Sequence, residues 1–218
     1  MIALVRYQFT VLLLSQRYLA PLLLFLGLVA VLTSSDSGPL TATYAAVAGA
    51  MLPCSVWLMT ALVGLEERTH RSVVATSAGG HGGVLLATVA TATAGCLLLT
   101  AAGLALPLMF GTRTPGLADL AVGTTAQLAC AFTGTAIGLL CSPLVFRRQG
   151  YALTGALVLL LAALLGKGVS PVNILLTRLQ NTPDSANALV PVSVPLAAAA
   201  GLLVAATAVT QVIAGRRA

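Results

Sequence analysis

Six stretches of this chain, residues 18–32, 42–65, 84–110, 117–140, 151–165 and 192–214, are apolar runs with no ionisable side chain near their middle. At 1.5 Å per helical residue the longer ones reach across the ~30 Å hydrocarbon core of a bilayer. A soluble domain carries roughly a quarter charged residues. Here 7% are charged and 58% hydrophobic, with a mean hydropathy of +1.01. The expected fold is therefore an all-α integral membrane protein with six transmembrane helices.

The excess of positive charge, +6, is explained by orientation in the membrane. It does not point to nucleic acid, because no basic stripe or interleaved aromatic pattern is present. With six crossings and a cytoplasmic N-terminus, Arg6, Arg17, Arg68, Arg71, Arg147, Arg148, Arg216 and Arg217 fall inside. Only Arg113, Lys167 and Arg178 fall outside, a clear positive-inside bias. Both termini, including a short tail at 215–218, are expected in the cytoplasm. The use of arginine over lysine, with abundant alanine, suggests a GC-rich bacterial genome, and the expected location is a bacterial plasma membrane. The four cysteines, Cys54, Cys96, Cys130 and Cys141, sit in apolar runs without a C-x-x-C spacing, so packing is their expected role rather than metal or redox pairing.

Residues 1–17 place Arg6, Gln8, Ser15, Gln16 and Arg17 against Leu4, Val5, Phe9, Leu12 and Leu13 at helical spacing. That pattern predicts an interfacial amphipathic helix, with Arg6 and Arg17 at the lipid headgroups, leading into a membrane domain over 18–214. The fifth stretch, 151–165, would reach only ~22 Å as a helix. The longest external segment follows it. Ser170-Pro171 is a helix start, a hydroxyl at the N-cap and proline at the first helical position. Val172, Leu175, Leu176 and Leu179 then recur opposite Asn173, Thr177 and Gln180. This predicts an amphipathic external helix within about 170–190, either dipping back into the outer leaflet or lying in an ordinary surface loop.

The most polar stretch in the first half is Leu65 to Gly83, with Glu66, Glu67, Arg68, His70, Arg71 and His81. Glu66 and His70 are four apart, as are Glu67 and Arg71, and acid before base at that spacing supports a helix over about 66–78. The glycines from Gly79 on supply its stop. Between two spans, such a helix lies at the cytoplasmic interface with its charges available to a soluble partner; the bland alternative is a solvated loop.

No mid-span ionisable residue offers the relay that an ion-coupled carrier uses. The phosphate-binding G-x-x-x-x-G-K-[ST] pattern is also missing, since Gly166-Lys167-Gly168 has neither the loop nor the hydroxyl. No catalytic residues and no metal ligands are assigned, and the chain is not read as an enzyme by itself. Gly134 and Gly138 form a G-x-x-x-G that permits close helix packing. Tyr44 and Trp57, both in the second stretch, are speculative candidates for lining a substrate path; lipid contact or helix packing is the favoured reading for either one alone.

An N-terminal interfacial helix, six spans, a charged helix after the second span and external helices before the sixth together resemble the ABC-exporter permeases of the second type. In sequence the resemblance rests on Leu65-Glu66-Glu67-Arg68-Thr69-His70-Arg71-Ser72-Val73-Val74-Ala75-Thr76-Ser77. The acidic start, the aliphatic pair Val73-Val74 and Thr76 match the family pattern. Ser77 stands where proline is usual, and Gly79 to Gly83 where basic residues are common. The haem-exporter permease is a near relative in length and span count. The resemblance implies that Glu66, Glu67, Arg68, Thr69, His70, Arg71 and Ser72 form a coupling helix docked on a separate ATPase. Two ATPase copies, which hold the ATP and Mg, would work with two permease chains, identical or homologous. This chain would hold no cofactor, would contact membrane lipid and would bind no nucleic acid. The implied function is ATP-driven export of a hydrophobic or amphiphilic substrate, as in drug, antibiotic or lipid export. The competing readings are a non-transport anchor or assembly subunit and, third, a secondary carrier.

Overall fold

The computed structural model describes residues 2–34, 40–65, 81–110, 116–143, 145, 149–166, 170–181 and 185–216. Every regular element among them is a helix: α1 (Ile2–Ser15), α2 (Leu19–Ser34), α3 (Leu40–Val63), α4 (His81–Phe110), α5 (Leu117–Leu140), α6 (Gln149–Leu165), α7 (Pro171–Asn181) and α8 (Ser185–Arg216). The all-helical membrane fold is thus present. Four helices are long and apolar enough to cross a bilayer, over Thr41–Val63, Gly82–Pro107, Leu117–Leu140 and Val192–Gly215. The pair α1–α2 adds a fifth crossing when taken as one broken span, bent by 75°. The count of six depends on α2 and α6, whose 16 and 17 residues reach only ~24–26 Å.

The bundle is organised around α3 and α5, each two-thirds buried over its best membrane window, against 50% for α4 and 22% for α8. The glycine spacing on α5 explains this centrality. A Cβ at Gly134 would collide with Ser55 Oγ and lie 2.7 Å from Leu52 O, and one at Gly138 would lie 2.8 Å from Val56 O. The two backbones therefore touch, which only glycine permits at both positions. The weak G-x-x-x-G signal is a true packing motif here. Helix α8 lays one face on α5, burying Val192, Ala199, Leu203, Ala206 and Thr210, and turns Val194, Val204 and Val212 outward. Exposed leucines on α2, α4 and α6 (Leu23, Leu98, Leu153) continue this apolar exterior, as expected of surface that meets lipid tails.

The amphipathic reading of the 170–190 segment holds for α7. Val172, Leu175 and Leu179 are buried, and Thr177 and Arg178 are exposed. Asn173 Nδ2 donates to Leu164 O at 2.6 Å, tying α7 to the end of α6. Ser170 precedes the helix as expected, but its hydroxyl makes no cap bond among the described residues; it is buried.

One face was misassigned by periodicity. Gln8 does not join Arg6 on the outer side of α1; it is buried with Leu12. Its Nε2 donates to Thr88 Oγ1 at 3.0 Å, and its Oε1 accepts from Thr91 Oγ1 at 3.3 Å. Two threonines one turn apart on α4 thus receive a glutamine from α1, so a polar residue packs inward.

Candidate functional site

The residues proposed to meet an ATPase, Glu66, Glu67, Arg68, Thr69, His70, Arg71 and Ser72, lie outside the described residues. The chain just before them is described. Helix α3 ends with Gly64 N–H donating to Thr60 O at 3.0 Å and Leu65 N–H to Leu62 O at 3.2 Å. The last carbonyls of a helix lack internal partners and carry partial negative charge. Arg17 answers one of them, its Nη1 donating to Gly64 O at 3.3 Å.

Arg17 reaches that carbonyl because of the elbow between α1 and α2. Gln16 takes a positive φ of 54°, an unusual conformation for a residue with a side chain, at the 75° bend between the two helices. Leu19 N–H then donates to Gln16 O at 3.1 Å as α2 begins. The elbow and the end of α3 therefore meet at one place. Arg6 sits on the exposed side of α1, away from this contact. Since the Arg17 bond is exposed, Arg17→Ala should cost about 0.3–1 kcal/mol, the usual range for a cation at a helix C-terminus. Thermal unfolding in detergent should register a small fall in Tm that Arg17→Lys largely avoids.

The two aromatic candidates are not brought together. Tyr44 is fully buried, whereas Trp57 is 47% exposed on the outside of α3. Their separation, from position 44 to 57 on one helix, is ~20 Å. Tyr44 packs against α5: a Cβ at Gly123 would lie 3.1 Å from its ring atoms Cγ and Cδ1. Trp57 faces outward with the lipid-exposed leucines.

Sequence reasoning passed over Gln127, in the interior of α5 and fully buried. Its Oε1 lies 2.7 Å from the point where a Cβ of Gly103 on α4 would be, with Phe25 Cζ at 2.9 Å from that point and Val47 Cγ1 at 3.1 Å. Helices α2, α3, α4 and α5 thus converge on one carboxamide. A single glutamine in a long apolar run was the available signal.

A groove of about 710 Å³ lies between the C-terminal end of α5, the start of α6 and α8. Its walls, among them Leu140, Val158, Leu159, Val209 and Ile213, are almost wholly apolar. No group of three or more histidine, cysteine or carboxylate side chains is placed to hold a metal among the described residues. The four cysteines are free and buried in the bundle.

No protein-family model, curated protein or solved structure matches this chain.

Proposed function

We propose that this chain is the permease subunit of an ATP-driven exporter, crossing a bacterial plasma membrane six times with both termini in the cytoplasm. The observation that carries this reading is the junction held by Arg17. A push on the 66–78 segment enters the bundle at the end of α3, and the Arg17–Gly64 bond passes it to the α1–α2 elbow in the same step. Coupling chemical energy to transport needs such a joint between a charged, partner-facing segment and several spans at once. The acidic start and aliphatic pair of that segment supply the family resemblance.

In this mechanism the chain performs no bond chemistry. ATP binding closes a pair of separate ATPase subunits, and the closure displaces the segment after α3. The membrane helices of two permease chains then rearrange to move an amphiphile outward. The nearly uncharged interior fits a hydrophobic or amphiphilic cargo better than an ion.

The test is co-purification from the native membrane in mild detergent. A nucleotide-hydrolysing partner with a phosphate-binding loop should accompany the chain, and its hydrolysis should rise with amphiphiles. A chain that purifies with other membrane proteins but no ATPase would be an anchor or assembly subunit, and the exporter reading would fail.

A further inference from the structure

Most threonine hydroxyls buried within the helices of this bundle satisfy themselves. Thr88, Thr91, Thr100, Thr133, Thr135 and Thr210 each donate to the carbonyl four residues earlier on their own helix. This solves the problem of a polar group surrounded by apolar atoms without needing a neighbour. Five buried side chains have no partner among the described residues; Ser142 follows α5 and Ser170 precedes α7, and the other three fall together. Thr41 stands in the first turn of α3, where no helical carbonyl lies four residues before it. The Tyr44 hydroxyl and the Gln127 carboxamide are carried too far from their own backbone. Thr41 Oγ1, Tyr44 Oη and both polar atoms of Gln127 have no hydrogen-bond partner among the described residues. The residues are only 3%, 0% and 0% exposed.

All three belong to one seam. Thr41 and Tyr44 are one turn apart on α3, and the Tyr44 ring covers Gly123 of α5. Gln127 is one turn further along α5 from Gly123, and it meets Val47, one turn along α3 from Tyr44, over Gly103. At the end where α3 and α5 begin stands Asp119, part-buried, its Oδ2 accepting the Gly116 N–H at 2.9 Å. A polar line therefore runs from a carboxylate at the helix ends to a carboxamide deep in the bundle.

Leaving donors and acceptors unpaired in apolar surroundings is expensive. Gln8, equally long, shows that this bundle can provide threonine partners where a glutamine has a structural role. Around Gln127 it provides Gly103, Phe25 and Val47. We propose that Thr41, Tyr44 and Gln127 are the hydrogen-bonding end of a ligand site for the neutral polar head of an amphiphile, a hydroxyl, ester or amide. The site is entered from the end where α3 and α5 begin, and the close packing at Gly103 and Gly123 is its closed state. The three side chains carry no charge with which to pay for burying an ionic head, and Asp119 repels an anionic one at the mouth. Only the identification of that amphiphile as cargo rests on the exporter reading.

The test uses the full chain in phosphatidylcholine vesicles, with Cys54, Cys96, Cys130 and Cys141 replaced by alanine and one cysteine introduced as Val47→Cys or Leu104→Cys, apolar neighbours of Gln127 and Tyr44 that leave the three polar groups in place. Both should react with a small water-soluble methanethiosulfonate roughly tenfold or more faster than Thr135→Cys, whose native hydroxyl is paired, because the site opens transiently. Monoolein, with a neutral hydroxyl head, should slow the reaction about fivefold or more, and oleate should not. Failure of both sites to react, or reaction that monoolein leaves unchanged (a track for water only), would overturn the proposal. On the chain with its cysteines in place, monoolein should raise the Tm of wild type and not of Gln127→Leu; equal shifts would overturn it as well. Neither readout involves an ATPase, so loss of the exporter reading and loss of this site are separate results.

Discussion

Gly134→Ala should lower the Tm of the purified chain by several degrees, and Gly134→Ala with Gly138→Ala should leave little folded protein. The added methyl at position 134 meets Ser55 Oγ and Leu52 O, and at position 138 it meets Val56 O and Met59 Cβ, both at 2.8 Å. The obstacles include backbone oxygens of α3, so no rotamer change relieves them and the helices must separate. Overpacking of this kind costs about 1–3 kcal/mol per site. It is felt throughout the bundle because α3 and α5 form its most extensive contact. Alanine at Gly27, Gly49 or Gly201 provides the comparison. A Cβ at each meets nothing within 4 Å, so the helix-propensity gain of about 1 kcal/mol goes unopposed. Size-exclusion chromatography and thermal unfolding in one detergent would read both sets. Equal behaviour of the two sets would remove the α3–α5 seam as the centre of the fold.

That seam was legible in the sequence, as were most of the long helices, because both signals are local. Apolar runs at 42–65, 84–110 and 117–140 coincide within a few residues with α3, α4 and α5. The alternation at Val172, Leu175 and Leu179 appears as the buried side of α7. What escaped was the placement of polar side chains inside the bundle. Periodicity puts a glutamine on the outer face by default, yet Gln8 is buried because Thr88 and Thr91, some eighty positions along the chain, face it. Gln127 escaped for the same reason, since a carboxamide in a membrane helix is defined by neighbours that local pattern cannot supply. The Arg17–Gly64 contact was equally hidden: it depends on the turn at Gln16 and on where α3 stops.

The second large effect concerns the acidic start of the segment that follows α3. Glu66→Lys with Glu67→Lys should abolish retention of an ATPase partner and amphiphile export while leaving the membrane bundle intact. Within the chain, Glu67 and Arg71 are spaced for a helical pair, and an exposed pair of that kind contributes only about 0.3–0.5 kcal/mol. Its loss cannot unfold a bundle held by the α3–α5 seam. At an interface the same reversal sets like charges against groups that had met carboxylates, a mismatch that costs several kcal/mol. Arg17 sharpens the interpretation, because it joins the elbow to Gly64 two residues before the altered pair. Arg17→Ala should therefore keep the ATPase bound yet weaken the link between hydrolysis and export, whereas the double reversal should release the ATPase itself. Normal expression and Tm with the partner lost is the expected pattern for the reversal. Retained partner with unchanged amphiphile-stimulated hydrolysis would show that the acidic stretch is an ordinary solvated loop, and the assignment of residues 66–72 to a coupling helix would fall.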